Sequence, residues 1–195
     1  MAHFRGRPRF EWGEDGRIMT LLNRFAFVDD AEIIWAVPAQ TRVNGASIPK
    51  FAWPLIGSPF VGRYRKASVI HDWYCDIRTR HWKTTHRMFY EAMRCSKVSA
   101  AKARIMYAAV YYAGPRWNDS PRFNSELAMP VSKDQFHVEQ FTSDTQPSDG
   151  DDLVVWERRD KDPIAFTAMC DRFAENCSTP AEVEAMIDAQ MGATE

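Results

Sequence analysis

The sequence contains few cysteines, no paired cysteine motif and no long apolar run. Its four cysteines, Cys75, Cys95, Cys170 and Cys177, are too few and too scattered for a disulfide framework in a chain of 195 residues. The absence of a CxxC pair disfavours a zinc site built from thiolates. No apolar run reaches about 18 residues, and no apolar stretch follows the basic N-terminus. We therefore expect no membrane span, no signal peptide and a reduced, cytoplasmic protein.

Charge is distributed unevenly along the chain, although the formal net charge is only -1. The segment 61–118 holds 12 lysines and arginines against 3 acidic residues, whereas the segment 121–195 holds 6 against 16. The basic segment would attract either the acidic tail or an anionic ligand. Nucleic acid is the least favoured partner, because the sequence has no basic strip with interleaved aromatic residues and no known nucleic-acid motif.

Apolar patterning and turn signals predict an α+β fold, with a small antiparallel sheet followed by a three-helix unit and an acidic C-terminal appendage. Residues 7–38 are predicted to form three or four strands. Gly13–Gly16 and Asp29–Asp30 each separate two apolar stretches, which is typical of hairpins. Apolar content of 45% and aromatic content of 13% are sufficient for a packed core.

Three helices are predicted after the sheet: one at residues 62 to 75 or 76, one from a cap at residue 84 or 85 to about residue 94, and one at residues 100–113. Thr84 or Thr85 would cap the second helix, and Ser99 would cap the third. Gly114 is a suitable residue to end the third helix, because Pro115 prevents its continuation.

Composition divides the chain into three segments. Residues 1–118 are predicted to form the domain of sheet and three helices, residues 119–152 a partly flexible linker, and residues 153–195 a tail with a short strand and helices. Thr179, Pro180 and Glu182 predict the start of the last helix by a capping box with proline at its first position. We expect this tail to have a packing or partner-binding role.

An adjacent His71 and Asp72 lie within an apolar helical stretch, where burial is costly unless their polar groups are used or satisfied. His86 lies on the apolar face of the next helix. It would be level with His71 if the first helix ends near residue 76, and about a turn away if that helix continues to residue 79. His71, Asp72 and His86 are therefore the candidate catalytic residues and the candidate ligands of a divalent metal, either calcium or zinc. Helical spacing places four further residues on the same face as His71: Tyr64, Ala67, Ser68 and Cys75.

Four further residues are candidates for binding a substrate. Asn44 and Ser47 lie in a segment rich in glycine and proline, whereas Arg78 and Arg116 follow predicted helices. Guanidinium groups at these two positions would hold a phosphate or carboxylate of a substrate. Ser47 does not lie in the GxSxG pattern of hydrolase nucleophiles, which favours a turn or cap role for it.

Several separated motifs occur in a characteristic order between residues 44 and 117. They are Asn44–Pro49, Trp53-Pro54, Gly57–Pro59, Tyr64, Ala67, His71-Asp72, Phe89–Met93, Met106-Tyr107 and Gly114–Trp117. In these motifs the chain resembles a family widespread in phages and prophages, catalogued as domain of unknown function 1353. The resemblance covers residues 1 to about 118 if the strands belong to it. It implies no activity, since none is established for the family.

The order of a glycine-containing loop, a helix with adjacent His71 and Asp72, and a second helix is also similar to the phospholipase A2 family. This resemblance implies that His71 activates a water molecule and that Asp72 joins loop carbonyls in binding calcium. His86 stands where that family has an aspartate. The paired half-cystines and the glycine pattern of its calcium loop are absent.

Two functions from different classes fit these features. The first is a hydrolase of phage or prophage origin that cleaves an ester or amide with His71 and a metal held partly by Asp72. Its substrate would be a lipid, a peptidoglycan fragment or a nucleotide. The second is a non-enzymatic module, in which the His71-Asp72 pair joins the loop to the helices and a phage or host protein is the partner. Binding of a phosphorylated ligand or nucleic acid ranks third.

Overall fold

The computed structural model describes residues 1–14, 18–43, 49, 52, 54, 62–117 and 162–192. Strands precede helices in this part of the chain, which confirms the predicted α+β class. The strands are β1 (His3–Arg5), β2 (Phe10–Trp12), β3 (Met19–Leu21), β4 (Phe25–Val28), β5 (Ile34–Val37) and β6 (Arg42–Val43). The helices are α1 (Arg65–Ile77), α2 (Trp82–Cys95), α3 (Ala100–Ala113), α4 (Pro163–Glu175) and α5 (Pro180–Gly192).

The strands form two antiparallel sheets of three strands each, in the orders β1-β4-β5 and β2-β3-β6. Both predicted hairpins are present, with Phe10 opposite Leu21 and Phe25 opposite Val37. The structure has more strands than predicted. The sequence did not indicate β1 and β6, because these strands are only three and two residues long and each contains an arginine. Such short segments carry no alternating apolar pattern, and pairing with β4 and β3 defines them.

Aromatic contacts fix α1 on the first sheet. Trp35 of β5 is fully buried, and its ring meets that of Tyr74 nearly edge-on, with 4.8 Å between centroids. The backbone N–H of Ala36 donates a hydrogen bond of 3.2 Å to the hydroxyl of Tyr74. The guanidinium of Arg80 lies 4.4 Å above the Trp35 ring. Together these contacts fix the rotation of α1 about its axis, and therefore which of its side chains face α2.

The connection between α1 and α2 is short. The first helix ends at Ile77, and the second begins at Trp82. The predicted cap at Thr84 or Thr85 is wrong, since both residues lie inside the helix. The earlier start arises because His81 acts as the cap: its Nδ1 accepts a hydrogen bond of 3.2 Å from the backbone N–H of Lys83. A sequence search for serine, threonine or aspartate caps does not recognise this histidine.

Helix α3 lies at the centre of the helical layer, with α2 on one side and α4 and α5 on the others. Its predicted cap is confirmed, since the Ser99 hydroxyl accepts a hydrogen bond from the backbone N–H of Lys102. The sequence predicts a buried stripe of four residues on this helix, Ile105, Ala108, Ala109 and Tyr112. The last three are buried and Ile105 is partly buried, whereas burial also includes Met106, Tyr107, Val110 and Tyr111. The tail helices cause this difference, because they cover faces of α3 outside that stripe.

The tail helices share the apolar core of the domain. Phe166 and Phe173 of α4 and Val183 and Ile187 of α5 are fully buried within it. Thr179 caps α5 by accepting a hydrogen bond from the backbone N–H of Glu182, as predicted. The predicted linker and the predicted strand near residues 153–156 lie outside the described residues. Among the helices that the structure describes, none is long and apolar enough to cross a membrane.

Candidate functional site

Helices α1 and α2 bring two histidine rings into contact. Nε2 of His71 lies 2.8 Å from Nδ1 of His86, and both side chains are fully buried. The end of α1 at Ile77 makes the two residues level across the short connection, which agrees with the first of the two alternatives that the sequence left open. The tertiary structure therefore unites two of the predicted site residues.

The thiol of Cys75 is the third member of this group. Cys75 follows His71 by one helical turn, and its Sγ lies 3.6 Å from Nε2 of His71. One donor atom from each of His71, Cys75 and His86 lies within 4.8 Å of the other two. We call these three residues the His–Cys–His cluster. Sequence reasoning placed Cys75 on the face of His71 but did not name it as a ligand, although its four-residue spacing from His71 was an available signal.

Burial sets the protonation states of the cluster. Desolvation lowers the pKa of His71 to about 3. It also lowers the pKa of His86 well below its usual value, with smaller contributions from His71 and the positive charge of Arg116. Burial, followed by the carboxylate of Asp72, raises the pKa of the Cys75 thiol well above its usual value. At neutral pH both rings are therefore neutral, and one ring N–H donates to the lone pair of the other.

Aromatic rings surround the two histidines. The His71 ring stacks on Phe89, with 4.6 Å between centroids. The His86 ring meets Trp82 at 5.6 Å and Trp117 at 6.4 Å, both nearly edge-on. These rings restrict the orientations of both imidazoles, so that the ring nitrogens face each other inside an apolar enclosure.

The second nitrogen of His86 has no hydrogen bond of ordinary geometry among the described residues. This atom, Nε2, is buried. The backbone carbonyl of Pro115 lies close enough to oppose part of the downward shift in the pKa of His86. The carbonyl is therefore a neighbour that does not fully satisfy the ring. Nε2 of His86 is thus directed toward Pro115, in the segment that follows α3.

Asp72 is buried, with 3% of its surface exposed, but it is not a member of the His–Cys–His cluster. Successive residues of a helix are rotated by about 100°, so Asp72 leaves α1 on a different side from His71. The negative charge of Asp72 nevertheless contributes to the raised pKa of the Cys75 thiol. The described residues therefore place Cys75 beside the two histidines, where the sequence predicted Asp72 as the third metal ligand.

Arg116 lies beside the cluster. Its guanidinium stacks over Trp82 at 4.5 Å and over Tyr111 at 5.2 Å, and it donates a hydrogen bond of 2.6 Å to the Tyr111 carbonyl. The Trp82 ring also contacts His86, so one aromatic ring links the guanidinium of Arg116 to the histidine pair.

Of the other three candidate substrate-binding residues, only Arg78 lies in the part of the chain that the structure describes. Arg78 follows the last residue of α1 and has a left-handed backbone, with φ of 52°. Its positive charge acts on the thiol of Cys75. Asn44 and Ser47 lie outside the described residues.

The fold and the cluster together define an α+β protein that encloses two imidazoles and one thiol between adjacent helices. Residues 19–110 match the family model described as "Protein of unknown function (DUF1353)". The matched segment includes all of α1 and α2, and therefore the whole cluster. This confirms over residues 19–110 the family that the motifs predicted.

Two relatives come from Sinorhizobium fredii (strain NBRC 101917 / NGR234). The uncharacterized protein y4jT is 45% identical over 121 residues, which are 62% of this chain and 33% of the relative. The uncharacterized protein y4iH is 46% identical over 93 residues, which are 48% of this chain and 39% of the relative. The chain thus spans well under half the length of these relatives. No solved structure matches the chain.

Proposed function

We propose that the protein is a metal-dependent hydrolase of ester or amide bonds, with its site built on His71 and His86. The observation that carries this proposal is the 2.8 Å contact between two buried, neutral imidazoles from adjacent helices. Neutral imidazole is the form that binds a metal ion or accepts a proton. Phe89 and Trp82 hold the two rings in place, which supports a preorganised site.

The proposal includes a metal ion because the histidines alone are weak bases. A side chain with a pKa of about 3 removes a proton poorly from free water at neutral pH. A bound zinc ion instead lowers the pKa of a water ligand to about 7. In this proposal His71 and His86 hold the ion, and the surrounding rings keep other water molecules away from it.

The proposed reaction adds water across the scissile bond. The water oxygen forms a bond to the carbonyl carbon, or to phosphorus in a nucleotide, the bond from that atom to the leaving oxygen or nitrogen breaks, and a proton passes to the leaving group. Asp72 would hold a cation or the neighbouring loop, and the phospholipase A2 resemblance implies the first of these roles, with calcium as the cation. Four residues would bind the substrate, a lipid, peptidoglycan fragment or nucleotide: Asn44, Ser47, Arg78 and Arg116.

The test is turnover of the full chain on a chromogenic ester, a phospholipid, peptidoglycan fragments and a nucleotide. Each would be assayed after chelation and again with zinc or calcium added. We expect metal-dependent turnover that falls by roughly 10²- to 10⁴-fold in His71→Gln. Glutamine offers an N–H near the position of Nε2, so the contact with His86 is retained. His3→Gln, at an exposed position in β1, is the matched control and should keep full turnover.

Two results would contradict this proposal. One is turnover in His71→Gln equal to that of the wild type. The other is the absence of turnover on all four substrate classes with either metal present, although circular dichroism shows a folded chain.

A second candidate function is a non-enzymatic, phage-related binding or structural module, and the complete burial of the cluster favours it. In this case the histidine pair would join α1 to α2, and a phage or host protein would be the partner. His71→Ala would then lower the free energy of unfolding by about 1–3 kcal/mol, as for a lost buried hydrogen bond. No substrate or metal would protect the wild type against thermal unfolding.

A further inference from the structure

We propose that Cys75 is a metal ligand together with His71 and His86, and that the His–Cys–His cluster binds zinc rather than calcium. This inference deepens the proposed hydrolase, on which it rests only for the chemical use of the ion. Binding itself requires only the three donor atoms that α1 and α2 bring together.

Two of the three donor distances in the cluster can be compared with those of a tetrahedral zinc site, and the third, between Cys75 and His86, lies within 4.8 Å. Zn–N bonds of about 2.0–2.1 Å and Zn–S bonds of about 2.3 Å imply roughly 3.6 Å between a sulfur and a nitrogen ligand. The distance from Sγ of Cys75 to Nε2 of His71 is 3.6 Å. Two nitrogen ligands should be roughly 3.3 Å apart, whereas the ring nitrogens of His71 and His86 are 2.8 Å apart. Their hydrogen bond would thus open by roughly 0.5 Å as the ion replaces the shared proton.

The donor set selects the class of metal. Imidazole nitrogen and thiolate sulfur suit zinc and other late first-row metals, whereas calcium takes six to eight oxygen ligands. The cluster supplies two nitrogens and one sulfur. Three protein ligands also leave one tetrahedral position for water or substrate, which is typical of catalytic rather than structural zinc sites.

The helices provide the scaffold that such a site requires. His71 and Cys75 are four residues apart in α1, so their side chains project from the same face. Two ligands at this spacing on one helix are a recurrent arrangement in zinc enzymes. His86 completes the set from α2, which is packed against α1.

The orientation of the His86 ring also agrees with a ligand role. A histidine that binds a metal through one nitrogen usually donates its other N–H to a carboxylate, a backbone carbonyl or water. When Nδ1 of His86 faces the cluster, Nε2 faces outward near the Pro115 carbonyl. This fully buried ring therefore already has the orientation of a ligand, although its outer nitrogen lacks a hydrogen bond.

The experiment measures metal content, cobalt spectra and thermal unfolding of the full chain. Protein from zinc-supplemented expression would be analysed for bound metal, stripped with a chelator, and reloaded with zinc, cobalt(II) or calcium, both as native protein and during refolding. We expect one zinc per chain, a thiolate-to-cobalt charge-transfer band, and a rise in Tm with zinc but not with excess calcium.

The matched pair of variants is Cys75→Ser and Cys170→Ser. Both remove a buried free thiol from a helix, but Cys170 lies in α4, where its Sγ hydrogen-bonds the Phe166 carbonyl. Cys75→Ser should abolish the charge-transfer band and weaken zinc binding beyond the roughly 10- to 100-fold loss that follows removal of an outer-shell partner. Cys170→Ser should retain both. If Cys75→Ser does not fold, Cys75→Ala provides the same comparison.

Several results would overturn the proposal: a wild type that binds no zinc, equal zinc affinity in both cysteine variants, or a Tm that responds to calcium and not to zinc. The outcome is separable from the hydrolase proposal. Zinc binding with a thiolate band but no turnover would leave the metal site standing and remove the hydrolase. Calcium-dependent turnover in a chain that binds no zinc would leave the hydrolase standing and remove the zinc site.

Discussion

At the scale of single residues, burying the cluster costs free energy. An unpaired buried polar group costs about 1–3 kcal/mol. The hydrogen bond between His71 and His86 offsets part of this cost, whereas Nε2 of His86 stays without one. Apolar side chains of similar size would fill the same space between Phe89 and Trp82 without any such cost. Packing alone therefore does not account for these residue types.

Gly114 is required for a steric reason at the end of α3. Its φ is -74°, so the backbone is not left-handed and the usual reason for glycine at a helix end does not apply. A Cβ at this position would lie 2.3 Å from the carbonyl oxygen of Val110, which accepts the hydrogen bond of the Gly114 N–H. Only glycine allows this close approach of the two backbones.

We expect Gly114→Ala to lower the free energy of unfolding by about 1–3 kcal/mol, because the new methyl group must displace backbone rather than a flexible side chain. Urea denaturation monitored by circular dichroism would measure this change. Gly192→Ala is the control, since no atom lies within 4 Å of a Cβ built there. Equal stability of Gly114→Ala and the wild type would contradict this steric explanation.

At the scale of elements, α2 ends in a Schellman motif that turns the chain toward α3. The N–H of Val98 donates to the Met93 carbonyl at 3.1 Å, and the N–H of Lys97 donates to the Arg94 carbonyl at 3.0 Å. The buried Val98 and Met93 supply the apolar contact of the motif. Lys97 has a φ of 60°, a left-handed conformation that glycine adopts more readily than lysine.

We expect Lys97→Gly to raise the free energy of unfolding by about 0.5–1 kcal/mol, since relief of the left-handed strain outweighs the added freedom of the unfolded chain. The urea midpoint should rise without a change in slope. Lys102→Gly, within α3, should shift stability by about 1 kcal/mol in the opposite direction. A lower midpoint for Lys97→Gly would show that the lysine side chain contributes more than its backbone costs.

At the scale of the whole molecule, polar contacts join the acidic tail to the basic middle of the chain. Glu184 of α5 accepts two hydrogen bonds from Arg87 of α2, at 2.7 and 2.8 Å, and one of 2.6 Å from the hydroxyl of Tyr107 in α3. Asp188 accepts from the hydroxyl of Tyr111. Of the two roles that the charge distribution allowed, attraction between middle and tail is therefore realised at these residues.

Glu184→Gln should lower the free energy of unfolding at pH 7 by about 1–2 kcal/mol, a discounted value because Arg87 is half exposed. Burial alone would raise the pKa of Glu184, but the hydrogen bonds from Arg87 and Tyr107 outweigh burial and lower it. The carboxylate therefore stabilises the fold above its unfolded pKa of about 4.3, and this contribution disappears as the pH falls through the lower folded value.

The measurement is the Tm of wild type and Glu184→Gln between pH 7 and pH 3. The difference should be about 2–8 °C at pH 7 and should shrink as the medium becomes more acidic. Glu175→Gln, at an exposed position of α4, should match the wild type throughout. A difference that stays constant with pH would mean that the amide perturbs packing and that the charge has no effect.

The sequence by itself determined the local elements. The turns at Gly13–Gly16 and Asp29–Asp30 predicted both hairpins, and Ser99 and Thr179 predicted the starts of α3 and α5. It also identified, from motifs between residues 44 and 117, the family whose model matches residues 19–110, and it singled out His71 and His86. These features could be predicted because helix caps, turns and apolar periodicity depend on residues within a few positions of one another.

Only the tertiary structure decided which side chains meet. The contact of His71 with His86 depends on where α1 ends, and a shift of one turn would separate them. Cys75 joins them because its face of α1 is turned toward α2 by the packing of Tyr74 on Trp35. The burial of α3 likewise depends on tail helices far away in sequence. Such contacts arise from packing between distant segments, which local periodicity does not encode.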